Sequence, residues 1–373
     1  MYCKDSGPAN AEIMLVGEAP GAEEEKAGVP FVGQAGKLLK HLLEHSGINY
    51  NDCYVTNIMP TRPPNNKFSC FYEKKNKPTK ELEEGWQKLR EKVLTIRPKV
   101  VVTLGAEPLK ALCNKDKISH YRGTWLSVDG VNVLPTYHPA YVLRQYSSHV
   151  IVELDLQKAL NNTPAPIPPL IIQPSVQQVV SWIDKHINTK RVSFDIEIVG
   201  RQTRCIGFAG RDEIDSLSAI CIPLIRFSSS TMAKPSRKKT LVKLSTTSGE
   251  PNRYWSKGDE KIVLSEIDRV FKSGIEVVGH NSVSFDEPIL NKEFGFVIKN
   301  HYLDTMNCWH NLYPELPNGL DFLCSVYTDL PNYWTEKNTS SDKSEWEYNA
   351  LDCVVTLIAS EKVEEESKER ESF

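Results

Sequence analysis

The sequence predicts an α/β protein of two domains, and three observations carry that prediction. Over residues 1–160, short apolar runs alternate with amphipathic helical stretches, the pattern of a mostly parallel sheet covered by helices. Asn161 to Pro174 breaks that pattern with prolines at 164, 166, 168, 169 and 174, and reads as a semi-rigid linker. Beyond it, acidic residues fall on a strand (Asp195-Ile196-Glu197), just after a strand (His280 to Asp286) and on a helix (Tyr348 to Asp352).

In the first domain, Ile13-Met14-Leu15-Val16 is an apolar run ending in Gly17, a buried-strand pattern. Ala35 to His45 carries helical spacing in Leu38, Leu39, Leu42 and Leu43. Strands follow at Cys53–Ile58 and Val100–Leu104 with a helix Leu82–Ile96 between them, then a strand Val131–Thr136. Sites in such sheets lie at the carboxyl ends of the strands. Gly17, Asn57 and His138 fall at or just beyond strand ends.

The second domain, residues 175–373, opens with a helix Val176–Ile187, then strands near Arg191–Ile198, Arg204–Ala209 and Ser218–Pro223. A helix Glu260–Ser273 leads to strand Glu276–Gly279, and Glu287 to Lys362 reads as mainly helical. Ser228 to Asn252 is polar and basic, with Lys234, Arg237, Lys238, Lys239 and Lys243. It reads as a solvated hairpin, or as a contact with strand phosphates.

Composition narrows the class. An apolar fraction of 40% and a charged fraction of 25% over 373 residues are ordinary for a soluble globular chain. The net charge of −3 gives no global nucleic-acid signature, and it does not exclude DNA binding, since local basic patches matter more than totals. No apolar run reaches membrane-spanning length, and the N-terminus lacks a signal-peptide pattern. Nine scattered cysteines without a CxxC pair suit a reducing, cytoplasmic setting.

Residues two apart on a strand face the same way, so Asp195 and Glu197 project together, and Tyr348 and Asp352 share a helix face at i, i+4. Carboxylates from three segments suit a pair of hard divalent cations, the arrangement of two-metal phosphodiester cleavage. In this order the segments resemble the motifs of the DEDDy class of 3′–5′ exonucleases, over about residues 170–365. Leu303 to Pro317 is similar to the proofreading domain of phage family A DNA polymerases. The resemblance implies a ribonuclease H-like fold. It also implies that Asp195, Glu197, Asp286 and Asp352 hold two Mg²⁺ or Mn²⁺ ions, and that Tyr348 orients the attacking water.

Gly17-Glu18-Ala19-Pro20-Gly21 lies at a strand-to-loop transition, where glycines permit tight turns and close ligand approach. With Gly28 to Gly33, Thr56-Asn57-Ile58 and His138 to Arg144, it resembles the family 4 uracil-DNA glycosylases over about residues 1–160. That resemblance implies a β/α/β sandwich of uracil-DNA glycosylase type and a base flipped into a pocket. Phe31 would stack on uracil, Asn57 would read its edge, and His138 would hydrogen-bond O2 and stabilise the departing anion. Glu18 would position water or stabilise the cationic sugar, Glu24 would border the pocket, and Arg144 would brace the gap left in the duplex.

Family 4 enzymes typically carry four cysteines for a 4Fe–4S cluster. Here Cys3 has no partner two residues later, Thr61 stands where a later ligand is expected, and none lies near Glu84, so no cluster is expected. Set against that resemblance, the insertion Asn65 to Pro78 would replace cluster-supported structure. The implied function joins uracil excision to metal-dependent 3′–5′ proofreading on single-stranded 3′ ends and uracil-containing DNA. The alternative is a proofreading nuclease whose first domain only binds uracil or DNA. A DNA polymerase chain is a further implied partner. The chain ends just after the third exonuclease motif, as a truncated polymerase or a standalone subunit would.

Overall fold

The computed structural model describes residues 2–74, 77–161, 163–200, 202–226, 252–334 and 341–371. It divides into two units, Met1–Pro166 with Asp329–Asn332, and Ile167–Thr328 with Tyr333–Phe373. The basic stretch Ser228 to Asn252 lies outside the described residues except for Asn252.

The first unit runs β1 (Ile13–Gly17), α1 (Ala22–Ala27), α2 (Gln34–His45), β2 (Tyr54–Asn57), α3 (Lys80–Ile96), β3 (Val100–Leu104) and α4 (Ala106–Cys113). It continues with α5 (Ile118–Tyr121), β4 (Leu126–Val128), β5 (Val131–Thr136), α6 (Pro139–Val142) and α7 (His149–Asn161). The sheet order is β2-β1-β3-β5-β4, parallel except for β4. Strand alternation sorts the core onto two faces. Leu15, Val55, Val102 and Leu134 pack with Leu39, Leu42 and Leu43 of α2 and Val152 and Leu156 of α7. Met14, Val16, Val101 and Val133 pack with Leu82, Leu89 and Val93 of α3. The layers are therefore helix–sheet–helix, not β/α/β, because a parallel sheet is apolar on both faces and needs helices on both. A short later segment also belongs to this unit: Trp125 Nε1 donates to Asp329 Oδ1 at 3.0 Å, and Asn332 Nδ2 to the His120 carbonyl at 2.9 Å.

The second unit runs β6 (Leu170–Ile171), α8 (Val176–His186), β7 (Arg191–Val199), β8 (Gln202–Arg211), β9 (Leu217–Pro223), α9 (Lys257–Ser273) and β10 (Glu276–Gly279). It continues with α10 (Asp286–Phe294), β11 (His301–Asp304), α11 (Thr305–Leu312), α12 (Leu320–Tyr327) and α13 (Asp342–Glu371). The sheet order is β11-β10-β7-β8-β9-β6, with β7-β8-β9 antiparallel and β10 and β11 parallel to β7. An antiparallel three-strand meander continued by two parallel strands is a ribonuclease H-like sheet.

Two readings are corrected. Leu170–Ile171, inside the proline-rich linker, pairs with β9, because neither residue is proline and each keeps a ladder N–H. His301–Asp304, inside the stretch read as helical, is a strand; four residues are too short for alternation to stand out. Among the described residues, no helix is long and apolar enough to cross a membrane.

Candidate active sites

In the first unit, β1, β2, β3 and β5 all end at one edge of the sheet. Glu18 follows β1, Asn57 closes β2, Gly105 follows β3 and His138 follows β5. Two bare glycines let their side chains meet. A Cβ on Gly17 would lie 2.3 Å from Asn57 Oδ1 and 2.7 Å from Phe31 Cζ. One on Gly105, where φ is +98°, would lie 3.1 Å from His138 Cβ and 3.3 Å from Glu18 Oε1. Phe31 is buried with φ at 54°, and its ring centroid is 6.2 Å from that of His138. The structure thus brings Glu18, Phe31, Asn57 and His138 together.

Hydrogen bonding fixes the chemistry of His138. The Ala140 N–H donates to Nδ1 at 3.1 Å. Nδ1 is therefore an acceptor, and the neutral ring carries its proton on Nε2. Burial, followed by the charge of Arg144, pushes the His138 pKa down to about 4. Glu18 shifts the other way, to about 7, by burial and then by Glu107, with exposed Arg144 opposing. The end of β5 is anchored from beneath: Thr136 Oγ1 donates to Asp155 Oδ2 at 2.7 Å, and Asp155 is also paired with buried Arg122.

Glu24 is held by the backbone of the loop that carries Phe31. Its Oε1 accepts from the N–H groups of Val32 (3.0 Å) and Gly33 (2.7 Å), and its Oε2 from Gly21 (3.1 Å). Backbone amides hold both oxygens, so the carboxylate braces the loop after Phe31.

In the second unit, alternation along β7 separates core from chemistry. Val192, Phe194 and Ile196 join the core under α8 and α9, whereas Ser193 and Asp195 meet α13. Ser193 Oγ donates to the Cys353 carbonyl at 2.6 Å, and Asn349 Nδ2 to Asp195 Oδ2 at 2.8 Å. Gly207, opposite Asp195 on β8, admits α13 this close, since a Cβ there would lie 2.4 Å from Asn349 Oδ1 and 2.6 Å from Cys353 Sγ. Asp195, Glu197 and Asp352 offer carboxylate oxygens within 4.8 Å of one another. Asp286 stands beside this trio, its Oδ1 accepting from the Ile196 N–H at 3.1 Å.

These acids repel one another. Burial and then Asp286, Asp352 and Glu197 hold the Asp195 carboxyl well above the usual range. Asp286 is pushed up to about 7, chiefly by burial. An all-carboxylate set whose members repel one another fits hard divalent cations. The Tyr348 phenol is raised by burial and then by Asp352, so it stays protonated at neutral pH.

Residues 4–162 match the uracil DNA glycosylase superfamily. The Type-4 uracil-DNA glycosylase of Thermotoga maritima is 40% identical over 161 residues, which cover 41% of this chain and 78% of that protein. The chain belongs to the uracil DNA glycosylase superfamily. The DNA polymerase of Bacillus phage SP01 is 30% identical over 161 residues, 42% of this chain and 16% of that protein. Among solved structures, the catalytic core of RRP6 from Trypanosoma brucei is similar with 14% identity and a TM-score of 0.34, covering 54% of this chain and 49% of that one.

Several residues around this glycosylase-superfamily site escaped the sequence reading. Gly105 gave a signal, a glycine directly after a strand, but its role shows only when β3 and β5 lie side by side. Glu107 and Tyr72 gave none: Tyr72, from the insertion Asn65 to Pro78, donates to Glu107 Oε2 at 2.5 Å. Phe71 of the same insertion packs with Met14, Val16, Ile58 and Met59. Cys3 is buried, which with nearby Glu24 pushes its thiol up to about 11. In the second unit, Asp304 organises the turn after β10, accepting from the N–H groups of Asn281 (3.0 Å) and Val283 (3.3 Å) while capping α11.

Proposed function

We propose that the chain processes DNA at two centres, excising uracil in residues 1–160 and degrading strands from the 3′ end in residues 175–373. The observation that carries this reading is the cluster of Asp195, Glu197 and Asp352 oxygens within 4.8 Å, in a chain whose other half belongs to a glycosylase superfamily.

At the first centre a flipped uracil stacks on Phe31, and the Asn57 amide reads its edge. The neutral His138 donates from Nε2–H to uracil O2, where charge develops as the glycosidic bond breaks. Glu18 in its carboxylate form faces the cationic sugar or orients the attacking water. Arg144 braces the DNA. Cys3 without a partner two residues later and Thr61 at a later ligand position support a domain without a 4Fe–4S cluster, in which Phe71 of the insertion packs with Met14, Val16, Ile58 and Met59.

At the second centre, Asp195, Glu197, Asp286 and Asp352 hold two Mg²⁺ or Mn²⁺ ions, which supply charge stabilisation to an in-line displacement when bound. Tyr348, protonated, orients the attacking water. The substrates are single-stranded 3′ ends and uracil-containing strands, and the similarity to a phage polymerase supports a DNA polymerase chain as partner in a host cytoplasm.

The test is incubation with an end-labelled oligonucleotide containing one uracil. With chelator, the expected product is an abasic site alone; with Mg²⁺, stepwise 3′ shortening is added. Tight binding without an abasic product overturns the glycosylase part, and shortening that persists in chelator overturns the nuclease part.

A further inference from the structure

Tyr333 reaches the acidic cluster from outside the three acidic segments. Its hydroxyl donates to Asp352 Oδ1 at 2.8 Å. Its ring meets Tyr348 edge to face, with centroids 5.6 Å apart and planes at 62°. Trp334 packs edge to face on it at 5.3 Å. An ordinary phenol is protonated at neutral pH, so against a carboxylate oxygen it is the donor.

Three of the donors that hold the acids share a property. Asn349 Nδ2 holds Asp195, the Ile196 N–H holds Asp286, and the Tyr333 hydroxyl holds Asp352. All three are neutral. A lysine or arginine in those places would orient a carboxylate but cancel the charge a cation needs, whereas a neutral donor orients it and leaves the charge. Groups hydrogen-bonded to metal-ligating carboxylates commonly set affinity in this way.

We propose that Tyr333 is a positioning residue of the nuclease centre: its hydroxyl fixes the Asp352 carboxylate for the cation, and its ring holds Tyr348 in place for the water. This rests on the nuclease reading of that centre. Tyr333 and Tyr348 then divide the work, one acting on a ligand and the other on the nucleophile.

The test measures Mn²⁺ affinity of the full chain by the electron paramagnetic resonance of free Mn²⁺, with 3′ degradation followed in parallel. Asp352→Ala is the control that identifies the site. Tyr333→Phe keeps the ring and is expected to weaken Mn²⁺ binding about ten-fold, with degradation recovering at high Mn²⁺. Tyr348→Phe is expected to keep wild-type affinity and to slow degradation at every Mn²⁺ concentration. Tyr333→Leu, which loses the ring, is expected to show both defects. Wild-type or tighter Mn²⁺ binding in Tyr333→Phe, or a lowered melting temperature as its only change, overturns the role of Tyr333 and leaves the nuclease reading standing. A wild type that takes up no Mn²⁺ at the Asp352 site overturns both.

Discussion

The backbone N–H of Ala140 points at Nδ1 of His138 from 3.1 Å, and this one bond decides which histidine nitrogen can act. His138 is the N-cap of α6, so its ring satisfies an amide that would otherwise lack a partner at the helix start. Protonating Nδ1 would break that bond, in a buried place already close to Arg144. The ring is therefore a fixed, neutral Nε2–H donor at the carboxyl edge of the sheet.

The tautomer is directly measurable. Long-range ¹H–¹⁵N spectra should show His138 neutral with Nε2 protonated down to about pH 5, because its pKa is lowered to about 4. His138→Ala should slow uracil release by about 10²–10³, the usual loss for one preorganised donor. A His138 that titrates near its ordinary value of 6.5 contradicts the arrangement.

The pH dependence of uracil release should come from Glu18, not His138. The Glu18 pKa is raised to about 7, so its carboxylate form, and with it the rate, grows as pH rises through neutrality. Glu107 is the largest charge contribution to that rise after burial, and Glu107→Gln removes it. The ascending limb of the rate profile should move to lower pH, so that at pH 6 the variant releases uracil faster than the wild type relative to its own plateau. An unmoved limb in Glu107→Gln assigns the ionisation elsewhere.

Gly17 tests the packing of the pocket. A methyl group there would overlap the Asn57 amide oxygen at 2.3 Å and the Phe31 ring at 2.7 Å, so both must move. Gly17 sits at the end of β1, at the rim of the sheet. Gly17→Ala should therefore cost about 10²-fold in uracil release, the scale of a displacement near 1 Å, while the protein remains folded by circular dichroism. Wild-type release shows that Phe31 and Asn57 are not held against this glycine during the reaction.

What the sequence showed and what it hid follow from range. Asp195 and Glu197 were readable as a pair because strand period is local, and Tyr348 with Asp352 because helix period is local. Phe31, Asn57 and His138 were readable only through resemblance, since a lone asparagine or histidine has no period. The bonds that hold Glu24 could not be read, because its partners at Val32 and Gly33 are backbone amides, and any residue type supplies those. Tyr72 on Glu107 and Tyr333 on Asp352 join residues 35 and 19 positions apart, and only the fold brings them together.

The acidic cluster makes a prediction about stability as well as rate. Asp195 is buried beside Asp286, Asp352 and Glu197, and their repulsion holds its carboxyl above the ordinary range. Without a cation, that repulsion works against the fold. Asp195→Asn removes one charge and keeps an oxygen to accept from Asn349 Nδ2, which now lies 2.8 Å from Asp195 Oδ2. It should slow 3′ degradation by at least about 10²-fold, exceeding the low end of what loss of a supporting group costs a metal site. In chelator, the same variant should melt at or above the wild-type temperature. Added Mn²⁺ should raise the wild-type melting temperature and leave the variant nearly unchanged, since ligand that binds only the folded state stabilises it by mass action. A variant that melts lower in chelator, yet gains as much from Mn²⁺ as the wild type, removes Asp195 from the metal site.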